Sequence, residues 1–178
     1  MSTVEALLIT GPAGSGKSTL GQYIAEQLGW TYISEDEYWI NNGWGNGLRS
    51  PKREKTVQNQ FRSVVMSEIH QGHGIVLEFI LYKQPPNPLT AYQEMLSESS
   101  IKFGTLVLKP SVDEIMSRVV RRGRPNDIDN LENRRAEAEN QLSVLDSEHI
   151  NPDWVIDPTD VAVEVLASKC IARVKRDD

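Results

Sequence analysis

Short apolar runs alternate with stretches whose apolar residues recur at helical spacing along the whole 178-residue chain. Val4 to Ile9 is apolar enough for a buried strand, and Leu20, Tyr23, Ile24 and Leu28 then share one helical face before Gly29 ends the helix. Trp30 to Ile33 predicts a second strand, followed by the acidic cluster Ser34 to Glu37 and a polar, glycine-rich loop from Asn41 to Ser50. A helix is expected from Pro51, with Val57, Phe61, Val64, Val65 and Ile69 facing inward and Gly72 as its stop. Gly74 to Ile80 reads as a strand buried on both faces, the mark of a central parallel strand.

Beyond the Pro85 to Pro88 break the pattern predicts a helix around Ala91 to Ser97 and a strand within Lys102 to Lys109. Ser111 to Glu114 has capping-box spacing and opens a helix with Ile115, Val119 and Val120 toward the core. Arg121 to Asn126 interrupts that helix. Asp129 to Glu148 follows as a long polar helix with a thin stripe of Leu131, Ala138, Leu142 and Leu145, expected on the surface or in motion. Trp154 to Ile156 supplies the last strand. Val163, Leu166, Ala167, Cys170, Ile171 and Val174 define the last helix. Five strands alternating with helices imply right-handed crossovers and a doubly wound α/β sheet.

Between the first strand and first helix stands Gly11-Pro12-Ala13-Gly14-Ser15-Gly16-Lys17-Ser18, a complete G-x-x-x-x-G-K-[ST] sequence. A glycine-rich turn with a surface lysine would satisfy the pattern too, but the buried strand before it and the helix after it supply the context of a phosphate-binding loop. Glycines let the backbone approach a phosphate chain and turn its N–H groups inward as a nest. Gly11, Ala13, Gly14, Ser15, Gly16, Lys17, Ser18 and Thr19 are therefore the expected nucleotide contacts. Lys17 would bridge the β- and γ-phosphates of ATP, and the Ser18 hydroxyl would ligate Mg²⁺.

Composition narrows the partners. A formal net charge of -6 disfavours a broad footprint on nucleic acid or anionic lipid, which leaves small molecules ahead. Cys170 is the only cysteine, so no intramolecular disulfide can form, and a reducing cytoplasm is the expected setting. No apolar run approaches bilayer length, and the start of the sequence leads directly into the first strand, so neither export nor membrane spanning is expected. Whether the chain is a monomer or a dimer is open at this stage.

In an open α/β sheet, ligands collect beyond the carboxyl ends of the strands, where the phosphate loop, the Ser34 to Glu37 cluster, Glu78 and Pro158-Thr159 all fall. With these residues in view, the chain resembles the small P-loop kinases that include shikimate kinase, gluconate kinase and chloramphenicol phosphotransferase, and more distantly the nucleoside monophosphate kinases. The resemblance implies a single-domain P-loop NTPase fold over residues 1–178, with a five-stranded parallel sheet flanked by helices and a mobile, arginine-rich lid near residues 121–130. It implies that Asp36 contacts the acceptor hydroxyl and acts as its base. Several relatives carry a second acid two residues earlier, where this chain has Ser34, which brings Glu35 and Glu37 into play. A solvated acidic turn is the plain alternative for the cluster.

Glu78 follows an apolar strand, where a Walker B carboxylate would serve the magnesium shell; a structural pairing with Lys or Arg explains its burial equally simply. Arg118, Arg121, Arg122 and Arg124 straddle the Gly123 to Pro125 break. The resemblance implies that a lid supplies such arginines to nucleotide phosphates, with Arg122 and Arg124 as catalytic candidates and Arg118 on the nucleotide; surface pairing with Glu132, Glu137 and Glu139 is the alternative. Trp39, Asn41, Asn42, Trp44, Asn46 and Arg49 lie where related kinases hold the acceptor, with Trp39 and Arg49 the substrate candidates beside Asp36. Pro158 and Thr159 resemble the adenine-side loop. His70 and His73 flank Gly72 without a supporting carboxylate cluster and do not make a metal site.

The expected activity is ATP- and Mg²⁺-dependent transfer of a γ-phosphoryl group to a hydroxyl of a small molecule: a sugar acid, a shikimate-like compound or an antibiotic-like acceptor. A kinase for nucleotide or polynucleotide ends and a non-catalytic nucleotide switch are the competing readings. Against a GTPase switch, the chain lacks an Asn-Lys-x-Asp motif.

Overall fold

Strand pairing follows from where the apolar runs lie. The computed structural model describes residues 5–45, 49–123 and 128–174. Among these, β1 (Ala6–Thr10), β2 (Thr31–Ser34), β3 (Ile75–Phe79), β4 (Phe103–Leu108) and β5 (Val155–Ile156) form one parallel sheet in the order β2-β3-β1-β4-β5. Every residue of β1 and β3 is buried, because helices cover both faces of the sheet's centre. The helices are α1 (Lys17–Leu28), α2 (Glu35–Asn41), α3 (Pro51–His70), α4 (Pro88–Glu98), α5 (Val112–Arg122), α6 (Leu131–Leu145) and α7 (Val163–Val174).

Successive strand residues point to opposite faces, so β1 feeds two cores. Leu8 joins Phe61, Tyr92, Ile115 and Leu142 on the face covered by α3, α4, α5 and α6. Leu7 and Ile9 join Leu20, Ile24, Leu166 and Cys170 on the face covered by α1 and α7. Local signals fix the helix starts. Ser50 accepts from the Arg53 N–H ahead of Pro51, Asn87 and Thr90 close a reciprocal capping box, and Ser111 accepts from the Glu114 N–H at 3.1 Å.

The structure revises several boundaries and faces. The acidic cluster is the first turn of helix α2 rather than a loose turn, with three carboxylates at its positive end and Trp39 buried beneath it. Val64 and Val120, expected inside, are exposed, because Val57, Phe61 and Val65 on α3 and Ile115 and Val119 on α5 already fill the i, i+4 rows. The polar helix is shorter than expected and is not peripheral: Ala138, Gln141, Leu142, Val144 and Leu145 are buried. The last strand is two residues long, preceded by a 3₁₀ turn at Pro152–Trp154 that takes up Trp154. Val4, Asn46 and Arg124, together with the centre of the expected lid, lie outside the described residues. Among the described residues, no helix is long and apolar enough to cross a membrane.

Candidate functional site

The sheet order sets β1 between β3 and β4, so the loop leaving β1 emerges beside the ends of both. Two glycines of that loop have no substitute. A Cβ on Gly11 would stand 2.6 Å from the Leu108 carbonyl oxygen, so β4 can pass this close only to a residue without a side chain. Gly16 occupies the N-cap of α1 at φ 93°, a left-handed conformation, and α1 has no side-chain cap. The first-turn N–H groups of a 12-residue helix are thus left for an anionic ligand, which fits a phosphate chain.

Lys17 and Glu78 meet inside this arrangement. The Lys17 Nζ lies 3.3 Å from Glu78 Oε1, and both side chains are almost wholly buried. Ser18 Oγ donates to Oε1 at 3.1 Å, while Tyr32 Oη and Ser34 Oγ donate to Oε2 at 2.5 and 2.8 Å. Burial works against a charged Glu78, but the Lys17 charge and the three hydroxyls outweigh it and hold the carboxyl below its usual range. The same contacts push the Tyr32 hydroxyl upward, first through burial and then through Glu78. Strand register explains the convergence, since Ser34 pairs with Glu78 across β2 and β3 and Ile9 pairs with Glu78 across β1 and β3. Ser34 spends its hydroxyl on Glu78 and leaves α2 without a side-chain cap.

Two of the expected lid arginines stand in the open part of the site. Arg121 and Arg122 border a cleft of about 570 Å³ together with Lys17, Ser18, Arg118 and Pro158. Arg118 is a tie: Nε donates to Glu114 Oε1 at 2.5 Å, Nη1 to the Ser15 carbonyl at 2.8 Å and Nη2 to the Pro158 carbonyl at 3.0 Å. One planar guanidinium therefore links α5, the phosphate loop and the loop after β5, where Asp157 in turn accepts from the Thr159 N–H at 2.9 Å. A lysine cannot span three acceptors. Arg118→Lys is expected to weaken ATP affinity by roughly tenfold, about the worth of one charge-assisted hydrogen bond, measurable by calorimetric titration.

The residues expected on the acceptor side gather at the start of α2. Asp36 is partly exposed, with Oδ1 3.7 Å from Arg49 Nη2. The Arg49 guanidinium lies 4.2 Å from the Trp39 ring centroid and 3.8 Å from that of Tyr82, and Nη2 donates to Tyr82 Oη at 2.6 Å. Glu35 is buried, and that burial, opposed by Tyr92 and Arg49, pushes its carboxyl from 4.5 up to about 7. The folded chain therefore keeps a proton that the unfolded chain releases as pH rises from 4.5 to about 7, so stability declines across that window and levels off above it. Glu35→Gln is expected to flatten this slope and add about 3 kcal/mol at neutral pH, read from urea unfolding across a pH series.

The sequence pointed to the carboxylates but not to what orients them. Tyr32, Ser34, Tyr82 and Tyr92 read as strand, turn or core residues; the polar ends of Tyr32 and Ser34 acquire meaning only through cross-strand register, and those of Tyr82 and Tyr92 through their packing against Arg49 and Glu35. Gln141 was equally hidden: it is buried on α6, and its Oε1 accepts from the Ala13 N–H at 2.9 Å, so α6 holds the phosphate loop. A polar residue inside an apolar stripe was the available signal. His73 pairs with Glu68 at the end of α3.

Comparison with known proteins agrees with this geometry. Residues 7–140 match a family model described as an AAA domain. A shikimate kinase from Psychrobacter sp. is 27% identical over 188 aligned residues, covering 98% of this chain and 94% of the relative. An adenylate kinase from Mycolicibacterium paratuberculosis is 28% identical over 136 residues, 70% of this chain and 74% of the relative. Among solved structures, a gluconokinase from Sinorhizobium meliloti 1021 superposes with a TM-score of 0.70 at 15% identity, covering 98% of this chain and 94% of the other. The phosphate loop, the parallel sheet and the matched span together show that the chain belongs to the AAA domain family, with the fold of the small P-loop kinases.

Proposed function

We propose that this chain transfers the γ-phosphoryl group of ATP to a hydroxyl of a small molecule, with Lys17 and the Gly14 to Ser18 backbone on the phosphates and Asp36 on the acceptor hydroxyl. The observation that carries the reading is the Lys17–Glu78–Ser18 cluster, tied through Ser34 to the start of α2, two residues from Asp36. This supports the reading because the cluster lies at the ends of β1 and β3, and β2, which leads into Asp36, pairs with β3. Phosphoryl transfer asks chiefly for positioning and charge neutralisation, and one carboxylate that orients the hydroxyl and takes its proton suffices.

Among the described residues, no group of three or more His, Cys, Asp or Glu could hold a metal by itself. What is present at the phosphate loop is a pair of hard oxygen donors, Ser18 and Glu78, which suits Mg²⁺ shared with substrate phosphates and water. Ser18 would hold the ion directly and Glu78 through its shell; when bound, the ion neutralises charge on the β- and γ-oxygens. Arg122 and Arg124 are the candidates for transition-state charge, and Pro158 and Thr159 for the adenine side.

Sugar acids, shikimate-like compounds and hydroxylated antibiotics are the acceptors to test, and the likeness to an adenylate kinase keeps nucleoside monophosphates in the panel. Purified protein with ATP and Mg²⁺ should release ADP faster in the presence of at least one of these and yield a phosphorylated product. ATP binding without acceptor-stimulated turnover anywhere in the panel would count against the reading.

A further inference from the structure

The two oxygens of Glu78 have unlike partners. Oε1 faces Lys17 at 3.3 Å and Ser18 at 3.1 Å, and both of these side chains line the cleft. Oε2 accepts from Tyr32 at 2.5 Å and from Ser34 at 2.8 Å, both on β2. A ligand in the cleft that draws Lys17 and Ser18 to itself therefore uncovers Oε1 and leaves Oε2 engaged. Tyr32 and Ser34 stand two residues apart, so they share the face of β2 that meets Glu78 across the register. The Tyr32 oxygen also lies within reach of the Ser18 hydroxyl, so one ring touches both groups expected at the ion.

Helix α1 makes room for that ring. A Cβ on Gly21 would stand 2.9 Å from Tyr32 Cε2, and Gly21 is buried inside α1, where alanine would suit a helix better. The Tyr32 hydroxyl reaches Glu78 because α1 has no side chain at that point. We propose that Tyr32 is a positioning residue that favours Mg²⁺ over Ca²⁺ at the phosphate loop, by reserving Oε2 so that Glu78 turns one oxygen, Oε1, toward the ion. The inference rests on the reading of Ser18 and Glu78 as the divalent-ion site and adds which ion that site selects. Ca²⁺ takes about six to eight oxygens and often draws on both oxygens of one carboxylate, whereas Mg²⁺ takes an octahedral set and keeps several waters. A carboxylate with one oxygen to offer suits Mg²⁺ and denies Ca²⁺ its second ligand.

The test is calorimetric titration of the full chain with a non-hydrolysable ATP analogue, at saturating Mg²⁺ and again at saturating Ca²⁺. The parent should bind the Mg²⁺ form at least about tenfold more tightly, and Tyr32→Phe should reduce that preference by about tenfold, the worth of one hydrogen bond to a charged group. Gly21→Ala keeps the hydroxyl but displaces the ring, and should reduce the preference in the same direction. Equal affinity of the parent for the two forms would overturn the proposal. So would a Mg²⁺ to Ca²⁺ ratio within about twofold of the parent's in both variants, whether their melting temperatures fall or both affinities weaken together. If neither ion strengthens binding over that in EDTA, the metal reading falls and the proposal with it. Because the readout is binding, absence of phosphorylated product would count against the kinase reading alone.

Discussion

Lys17→Ala is expected to weaken ATP binding by about two to three orders of magnitude, the loss of a charge-assisted contact to the phosphates in a largely buried setting. The same change should also cost stability, and this second effect is what the structure adds. Glu78, 2% exposed, would keep its three hydroxyl donors but lose the one cation paired with it among the described residues. Breaking a buried pair from one side is expensive; with the hydroxyls in place, about 2–3 kcal/mol is the expected loss at neutral pH. The pH dependence has a definite sign. Glu78 is held below its usual range in the folded protein, so the stability it confers is present above the ordinary carboxylate value and is lost as pH falls through its lowered one. In Lys17→Ala that acid loss should shrink. Lys17→Met combined with Glu78→Gln removes both charges and should recover much of the stability without recovering ATP binding. Calorimetric titration and urea unfolding read the two effects separately, and undiminished ATP affinity in Lys17→Ala would refute the phosphate-loop assignment.

Asp36→Asn should behave in the opposite way. Its side chain is 44% exposed, and its ion-pair partner among the described residues, Arg49, stands at 3.7 Å, so little stability depends on it. The amide preserves size and can still touch a hydroxyl, but it cannot take a proton. We expect kcat to fall by about 10²- to 10⁴-fold with ATP affinity unchanged, the range for loss of a positioned general base. Steady-state kinetics on whichever acceptor the panel identifies will measure this, and a kcat within about threefold of the parent would remove Asp36 from the base role.

The contrast between these variants follows how much of the site could be read from sequence. The phosphate loop was fully legible, because its chemistry needs contiguous residues in a fixed spacing. The sheet was legible too, since buried parallel strands are continuous apolar runs and the helices between them keep their period. Boundaries failed where polar residues are buried for a reason. A solvated turn was the alternative reading of the acidic cluster, because three adjacent carboxylates promise solvent, yet Glu35 is inside. Helix α6 looked peripheral because its stripe is thin, and Gln141, which completes its buried face, counts as polar in any pattern. Tyr32 and Ser34 could not be tied to Glu78 by spacing, because 44 to 46 residues separate them and only strand register brings them together.

The bond between Ala13 and Gln141 reaches across 128 residues of chain. A nascent polypeptide would therefore carry the entire glycine-rich motif long before it could anchor it, and any fragment ending ahead of Gln141 would possess the motif's letters without its anchored form. Deuterium uptake at the Ala13 amide would make that visible: slow in the whole protein, fast in the shortened one.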